Sequence, residues 1–134
     1  CYDWNVKHRR GDWDIMLGDN FKAKWNLEND KVWAINPSSF EEVGCIHTAQ
    51  GLEFDYVGVF IGKDLIYNPT TRRIESNKEA ISKDDKSSGI RSAKQEKAHQ
   101  LILNTYKTLL TRGQKGCYIY CEDPELRKYI KSRY

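Results

Sequence analysis

No stretch of apolar residues in this chain of 134 comes near the roughly 20 needed to span a bilayer, which leaves no candidate membrane helix. The charged start and short apolar core of a secretory signal are also missing, and the chain opens on Cys1 without a methionine, which points to an excised fragment of a longer protein. Cysteine is sparse. The four cysteines, at positions 1, 45, 117 and 121, include no C-x-x-C pair, so neither a zinc site nor a dithiol redox centre is expected. A reduced, cytoplasmic chain is the economical expectation, with Cys45 and Cys117 acting as small buried hydrophobes inside apolar runs.

The chain also lacks a phosphate-cradling G-x-x-x-x-G-K-[ST] loop, and Gly113-Gln114-Lys115-Gly116 does not match that spacing. Paired acids placed to hold Mg²⁺ behind a buried strand are missing too. Glu122-Asp123 follows an apolar run, but it opens a helix and reads as a cap. No internal repeat is visible.

What is present is the composition of one soluble domain, 39% hydrophobic and 31% charged. The net charge of +3 is small, yet it is unevenly spread. From Thr105 onward seven Lys or Arg stand against three Asp or Glu, and Lys7, His8, Arg9 and Arg10 form a second cluster. Such runs are as often solvated helix faces as polyanion contacts.

Val43–Thr48 is short, apolar and β-rich, and Val57–Ile61 is a continuous apolar run of the kind found in strands covered on both faces. Leu65–Tyr67 and Arg72–Glu75 flank Asn68-Pro69-Thr70-Thr71 and predict a β-hairpin. Residues 76–93 are rich in Lys, Asp and Ser and predict a solvated, mobile loop. From Lys94, Ala98, Leu101, Ile102, Thr105 and Leu109 recur at helical spacing, with Leu103, Tyr106 and Leu110 as a second stripe. Gly113 and Gly116 bracket an expected turn, Cys117–Cys121 reads as a strand, and Pro124 begins a final helix. Tyr2–Val6, Trp13–Leu17 and Lys31–Ile35 are further strand candidates, and Pro37–Glu42 a short helix. This order predicts an α/β fold with a mostly parallel sheet, flanking helices and a β-hairpin insertion.

Two segments concentrate chemistry. His47-Thr48-Ala49-Gln50-Gly51-Leu52-Glu53-Phe54-Asp55 lies between two expected strands. Parallel sheets bind ligands outside the carboxyl ends of their strands, so Thr48 and Gln50 would meet a ligand there while Gly51 permits close backbone approach. As ordinary turn residues the same amino acids would need no ligand. The second segment, Thr105–Gly113, ends a helix on Arg112. An arginine there complements the helix dipole, and given a partner it can also neutralise a transferring phosphoryl group.

Together, Thr48-Ala49-Gln50-Gly51-Leu52-Glu53-Phe54-Asp55 and Leu110-Thr111-Arg112 resemble motifs V and VI of superfamily 1 helicases, in the right order. The wording from Glu42 to Cys121, with Trp25-Asn26-Leu27 and Trp33-Ala34-Ile35 before it, is similar to the Schlafen-group-3-like helicase family, a set of bacterial and archaeal P-loop proteins. The resemblance implies that the whole chain is a single domain, the second, C-terminal RecA-like half of a nucleic-acid-dependent ATPase. ATP with Mg²⁺ would be held mainly by an N-terminal RecA-like half, with single-stranded DNA or RNA as partner. On this resemblance Arg112 is an arginine finger on ATP, Glu53 contacts the ribose, and Gly51 lies on the nucleotide side of the cleft. His47, Thr48 and Gln50 face the bound strand. The chain departs from the pattern at Gln50, where many such motors have Lys, and at Gly113, where they have Ala.

Other readings follow from other residues. The same domain could be a non-motor nucleic-acid- or protein-binding module switched by ATP. Trp4, beside the Lys7–Arg10 cluster, is a candidate base-stacking residue. Asp55, Asp64 and Glu75 are the carboxylates on which a metal-dependent nuclease would have to be built.

Overall fold

The computed structural model describes residues 13–17, 20–26, 33–83, 85 and 88–134. The strand candidate Tyr2–Val6, Trp4 and the Lys7–Arg10 cluster lie outside the described residues. The chain divides into two compact units, one within Trp4–Leu52 and the other containing Glu53–Tyr134.

In the first unit β1 (Ile15–Leu17) runs antiparallel to β2 (Phe21–Trp25), and β2 runs parallel to β3 (Glu42–Val43). Ile15 and Ala23 face each other across the β1–β2 pair and are both buried. Asp14 ties the pair from one end: its carboxylate accepts from the Trp25 amide at 2.8 Å and its own amide donates to the Ala23 carbonyl. Trp33–Ile35 forms a 3-10 turn where the apolar run predicts a strand, and Pro37–Glu41 forms a second. Asn36 explains the break, because its side chain caps the second turn by accepting from the Ser38 amide. The Ser39 hydroxyl donates back to the Trp33 carbonyl.

The expected strand Val43–Thr48 stops at Val43, and residues 46–48 form a turn. Thr48 is the reason. Its hydroxyl accepts from the Cys45 amide at 2.8 Å and donates to the Cys45 carbonyl at 3.0 Å, occupying both groups a strand ladder would need.

The second unit is built on β4 (Phe54–Ile61) and β7 (Gly113–Cys121), a parallel pair joined through α1 (Gln95–Leu110). One stripe of α1, Ala98, Ile102 and Tyr106, is buried on the sheet with Val59, Ile61 and Cys121. Leu101, Leu103, Leu109 and Leu110 pack at its margins. Burial of a side chain such as Ile102, 1% exposed, stabilises by roughly 1.5–3 kcal/mol.

Between β4 and α1 the expected hairpin forms from β5 (Leu65–Asn68) and β6 (Arg73–Ser76). Asn68 closes its turn by accepting from the Thr70 and Thr71 amides, and Arg72 takes a left-handed φ of 55°. The final helix, α2 (Pro124–Lys131), is capped by Asp123, whose carboxylate accepts from the Leu126 amide at 2.7 Å and from the Tyr67 amide of β5 at 3.2 Å. Tyr67 and Tyr129 stack across that junction at 4.4 Å.

Within residues 76–93 two isolated isoleucines, Ile81 and Ile90, join the core. Arg91 donates to the Glu79 and Ile81 carbonyls, and Lys78 to the Ala93 carbonyl. The predicted α/β class is present, with the hairpin insertion. The parallel component of this unit is one pair of strands among the described residues, and Gly113–Gly116, expected as a turn, belongs to β7.

Candidate nucleotide and nucleic-acid site

The segment 47–55 crosses the division between the two units, so its residues fall into two groups. In the first unit, His47 and Gln50 are exposed, Thr48 is half-buried and engaged with Cys45, and Gly51 adopts φ +78°, a left-handed conformation suited to glycine. Gly44 is packed beneath Thr48, since a Cβ there would stand 2.7 Å from the Thr48 hydroxyl oxygen and 2.7 Å from the Trp33 ring. The threonine is therefore fixed as a turn residue.

In the second unit, Glu53 and Arg112 lie together. The Phe54 amide donates to the Arg112 carbonyl at 2.9 Å, which sets the residue before β4 beside the residue before β7. Gln114, the second residue of β7, reaches back and donates to the Glu53 carboxylate at 2.6 Å. One residue further, Lys115 pairs with Asp55 at 2.8 Å. Because the strands are parallel, both motif segments stand at the amino ends of β4 and β7. That corrects the expectation of a site at strand carboxyl ends, which depended on a strand through Thr48.

Arg112 is half-buried and donates from Nε to the Thr108 carbonyl at 3.1 Å, satisfying a carbonyl in the last turn of α1. The adjacent Gly113 departs from the alanine common in motif VI for a local reason. A Cβ at Gly113 would lie 2.3 Å from the Gly116 carbonyl oxygen and 2.9 Å from Val57. The pairing of β4 with β7 shifts register between Phe54 and Tyr56, and this irregularity brings the two glycines together.

The three carboxylates considered for a metal enzyme are engaged separately. Asp55 holds Lys115, and Glu75 accepts from Asn68 and Thr71. Asp64 is 3% exposed and accepts from the Tyr106 hydroxyl at 2.6 Å, while that hydroxyl accepts from the Gly62 amide. Burial pushes the Asp64 carboxyl up to about 6 and raises the Tyr106 hydroxyl well above its ordinary value. Among the described residues no three His, Cys, Asp or Glu side chains come together as metal ligands.

Cys45, Cys117 and Cys121 are free thiols. Cys121 is buried, whereas Cys45 and Cys117, expected inside, are only half-buried. Burial pushes the Cys117 and Cys121 thiols up, away from the reactive thiolate. Gln114 and Lys115, which organise the amino ends of the strands, were not legible as site residues. Their partners lie 61 and 60 positions away, and neither belongs to a recognisable spacing.

Residues 1–123 match the model of a known family: Schlafen group 3, DNA/RNA helicase domain. The chain belongs to the Schlafen group 3 helicase family. Its relatives include the uncharacterized protein YPL245W of Saccharomyces cerevisiae, 33% identical over 137 aligned residues that take in 96% of this chain and 30% of the yeast protein. This Schlafen group 3 domain thus spans less than a third of that relative's length. No solved structure matches the chain significantly. Among the described residues, no helix is long and apolar enough to cross a membrane.

Proposed function

We propose that this domain is the second, RecA-like wall of an ATP cleft in a nucleic-acid-dependent ATPase, acting through Arg112 and Glu53. The observation that carries the reading is the hydrogen bond from the Phe54 amide to the Arg112 carbonyl, which joins the two motif segments into one edge of the β4–β7 pair. The family match supplies the helicase-related context.

The residues at that edge fit part of a nucleotide site. Arg112 offers a guanidinium able to meet phosphoryl oxygens, and Glu53 an exposed carboxylate able to accept from a ribose hydroxyl. In this reading the phosphate cradle and the Mg²⁺ ligands belong to an N-terminal half. When bound between the halves, ATP supplies the phosphoanhydride bond whose cleavage drives closure and opening of the cleft.

Arg112 neutralises charge that develops on the phosphoryl oxygens, and Glu53, held by Gln114, orients the sugar. His47, Thr48 and Gln50 contact single-stranded DNA or RNA, with Thr48 acting through the turn it fixes. Full-length protein carrying Arg112→Ala should retain ATP binding and lose most nucleic-acid-stimulated turnover, the loss expected of an arginine finger being on the order of 10³-fold or more. Turnover equal to the parent protein would sink the assignment.

A further inference from the structure

The irregular step of the β4–β7 pair falls at the candidate site. Phe54 pairs with Gly113 and Tyr56 with Gly116, so one residue of β4, Asp55, stands opposite two of β7, Gln114 and Lys115. This is a β-bulge, a feature that re-aims side chains beside sites. Glycine lets it close, because a Cβ on Gly113 would lie 2.3 Å from the Gly116 carbonyl oxygen.

The bulge changes where two neighbouring side chains point. In a regular strand Gln114 and Lys115 would face opposite sides. Here both reach acids two positions apart in the first motif segment, a spacing that puts side chains on one side of an extended chain. Gln114 Nε2 donates to Glu53 Oε2 at 2.6 Å, and Lys115 Nζ donates to Asp55 Oδ2 at 2.8 Å. The bulge follows directly on Arg112, whose carbonyl accepts from the Phe54 amide at 2.9 Å.

The two acids thereby receive different partners. Asp55 meets a cation, which compensates its charge. Glu53 meets a neutral amide, which fixes the carboxylate through one oxygen without cancelling its charge. A carboxylate has about four lone-pair sites on its two oxygens, so it can accept from a second donor, and a hydroxyl is held more strongly by an ionised acceptor than by a neutral one.

With Glu53 taken as the ribose contact of the proposed function, we infer that Gln114 is a positioning residue for sugar recognition. It holds Glu53 where the carboxylate accepts from a ribose hydroxyl, and the site thereby prefers nucleotides that carry sugar hydroxyls to those that lack them. The bulge, rather than Glu53 alone, sets that preference.

The test measures binding. Full-length protein is titrated, with Mg²⁺ present, with ATP and with dideoxy-ATP, which lacks both sugar hydroxyls. The proteins compared are the parent, Glu53→Ala, Gln114→Met, which keeps the side-chain length but removes the donor, and the double variant. Gln114→Met should weaken ATP binding roughly three- to tenfold, the scale of one hydrogen bond, and leave dideoxy-ATP binding unchanged. Added to Glu53→Ala, it should weaken ATP binding no further. A loss shared equally by both nucleotides would give Gln114 a purely structural role and overturn the proposal. ATP binding that Glu53→Ala weakens and Gln114→Met does not would overturn it too, while leaving Glu53 on the sugar. ATP binding unchanged in Glu53→Ala would refute the ribose contact itself, and the role of Gln114 with it. Neither side chain belongs to the hydrophobic core, so both variants should fold. Should one fail to, the parent protein must still bind ATP more tightly than dideoxy-ATP, and equal affinities overturn the proposal.

Discussion

The Tyr106 hydroxyl donates to the Asp64 carboxylate across 2.6 Å, joining the last residue of the buried α1 stripe to the turn that follows β4. Both groups are buried, and the same hydroxyl accepts from the Gly62 amide. The bond therefore satisfies three polar groups in the interior of the second unit.

Removing the hydroxyl alone tests that arrangement. Tyr106→Phe keeps the ring in the core but leaves the Asp64 carboxylate and the Gly62 amide without their partner. A loss of about 1–3 kcal/mol is expected from an unsatisfied buried group, measured by urea denaturation. A loss no larger than that of a surface substitution would show that water replaces the hydroxyl.

Asp64 also sets a pH dependence. Its carboxyl rises from 3.8 to about 6 on folding, because burial penalises the charged form. The stabilising contribution of a raised group is fully present below the unfolded value and is lost as pH rises through the folded one. Stability from this group should thus fall between pH 4 and pH 7, by at most a few kcal/mol at about 1.4 kcal/mol per pH unit. Unfolding midpoints across that range should slope more steeply downward in the parent protein than in Asp64→Asn, which does not titrate. Parallel slopes would refute the assignment.

Under the proposed function, Arg112→Ala separates folding from turnover. Its Nε–H caps one carbonyl near the end of α1, a contribution of about 1 kcal/mol or less. The variant should retain the circular dichroism of the parent and nearly its denaturation midpoint, even as turnover falls. A collapse in stability would make any activity loss uninformative about a finger, and Arg112→Lys would then be the variant to assay.

Periodic and locally encoded elements were legible in the sequence. The α1 stripe, the Pro69 hairpin and the Asp123 cap each depend on neighbours within a few residues, and each is present. Thr48 ended an apparently apolar strand by capturing Cys45, a choice that hydrophobic pattern does not register. Ile81 and Ile90 are single apolar residues in a polar stretch, and only the finished core reveals that they are buried. For the candidate site, the joint resemblance pointed to Glu53 and Arg112, but their meeting at strand amino ends depends on the long-range pairing of Phe54 with Gly113.

Two glycines of the first unit offer a graded comparison. Gly51 has φ +78° and open space around it, so Gly51→Ala should cost only backbone strain, about 1–2 kcal/mol. Gly44→Ala drives a methyl against Thr48 and the Trp33 ring, and overpacking of this kind costs about 1–3 kcal/mol. Trp33 fluorescence should shift in Gly44→Ala and stay unchanged in Gly51→Ala. The reverse pattern would contradict the packing of this turn.

Gly113 gives the sharpest test of how the site is held. Alanine follows the motif VI arginine in many related motors, so a reading from sequence would treat Gly113→Ala as harmless. Here the added methyl meets the Gly116 carbonyl at 2.3 Å, and a backbone atom cannot swing away as a side chain can. The amino end of β7 must move, taking with it the Arg112 carbonyl bonded to the Phe54 amide and the Gln114 side chain bonded to the Glu53 carboxylate. Gly113→Ala should therefore destabilise by about 1–3 kcal/mol or more and weaken hydrogen-exchange protection of the Phe54 amide. Gly116→Ala meets only the Tyr56 ring, at 3.1 Å, and should be milder. Equal tolerance of both substitutions would mean that the two strands are not locked at this edge, and that Glu53 and Arg112 are not held together by the sheet.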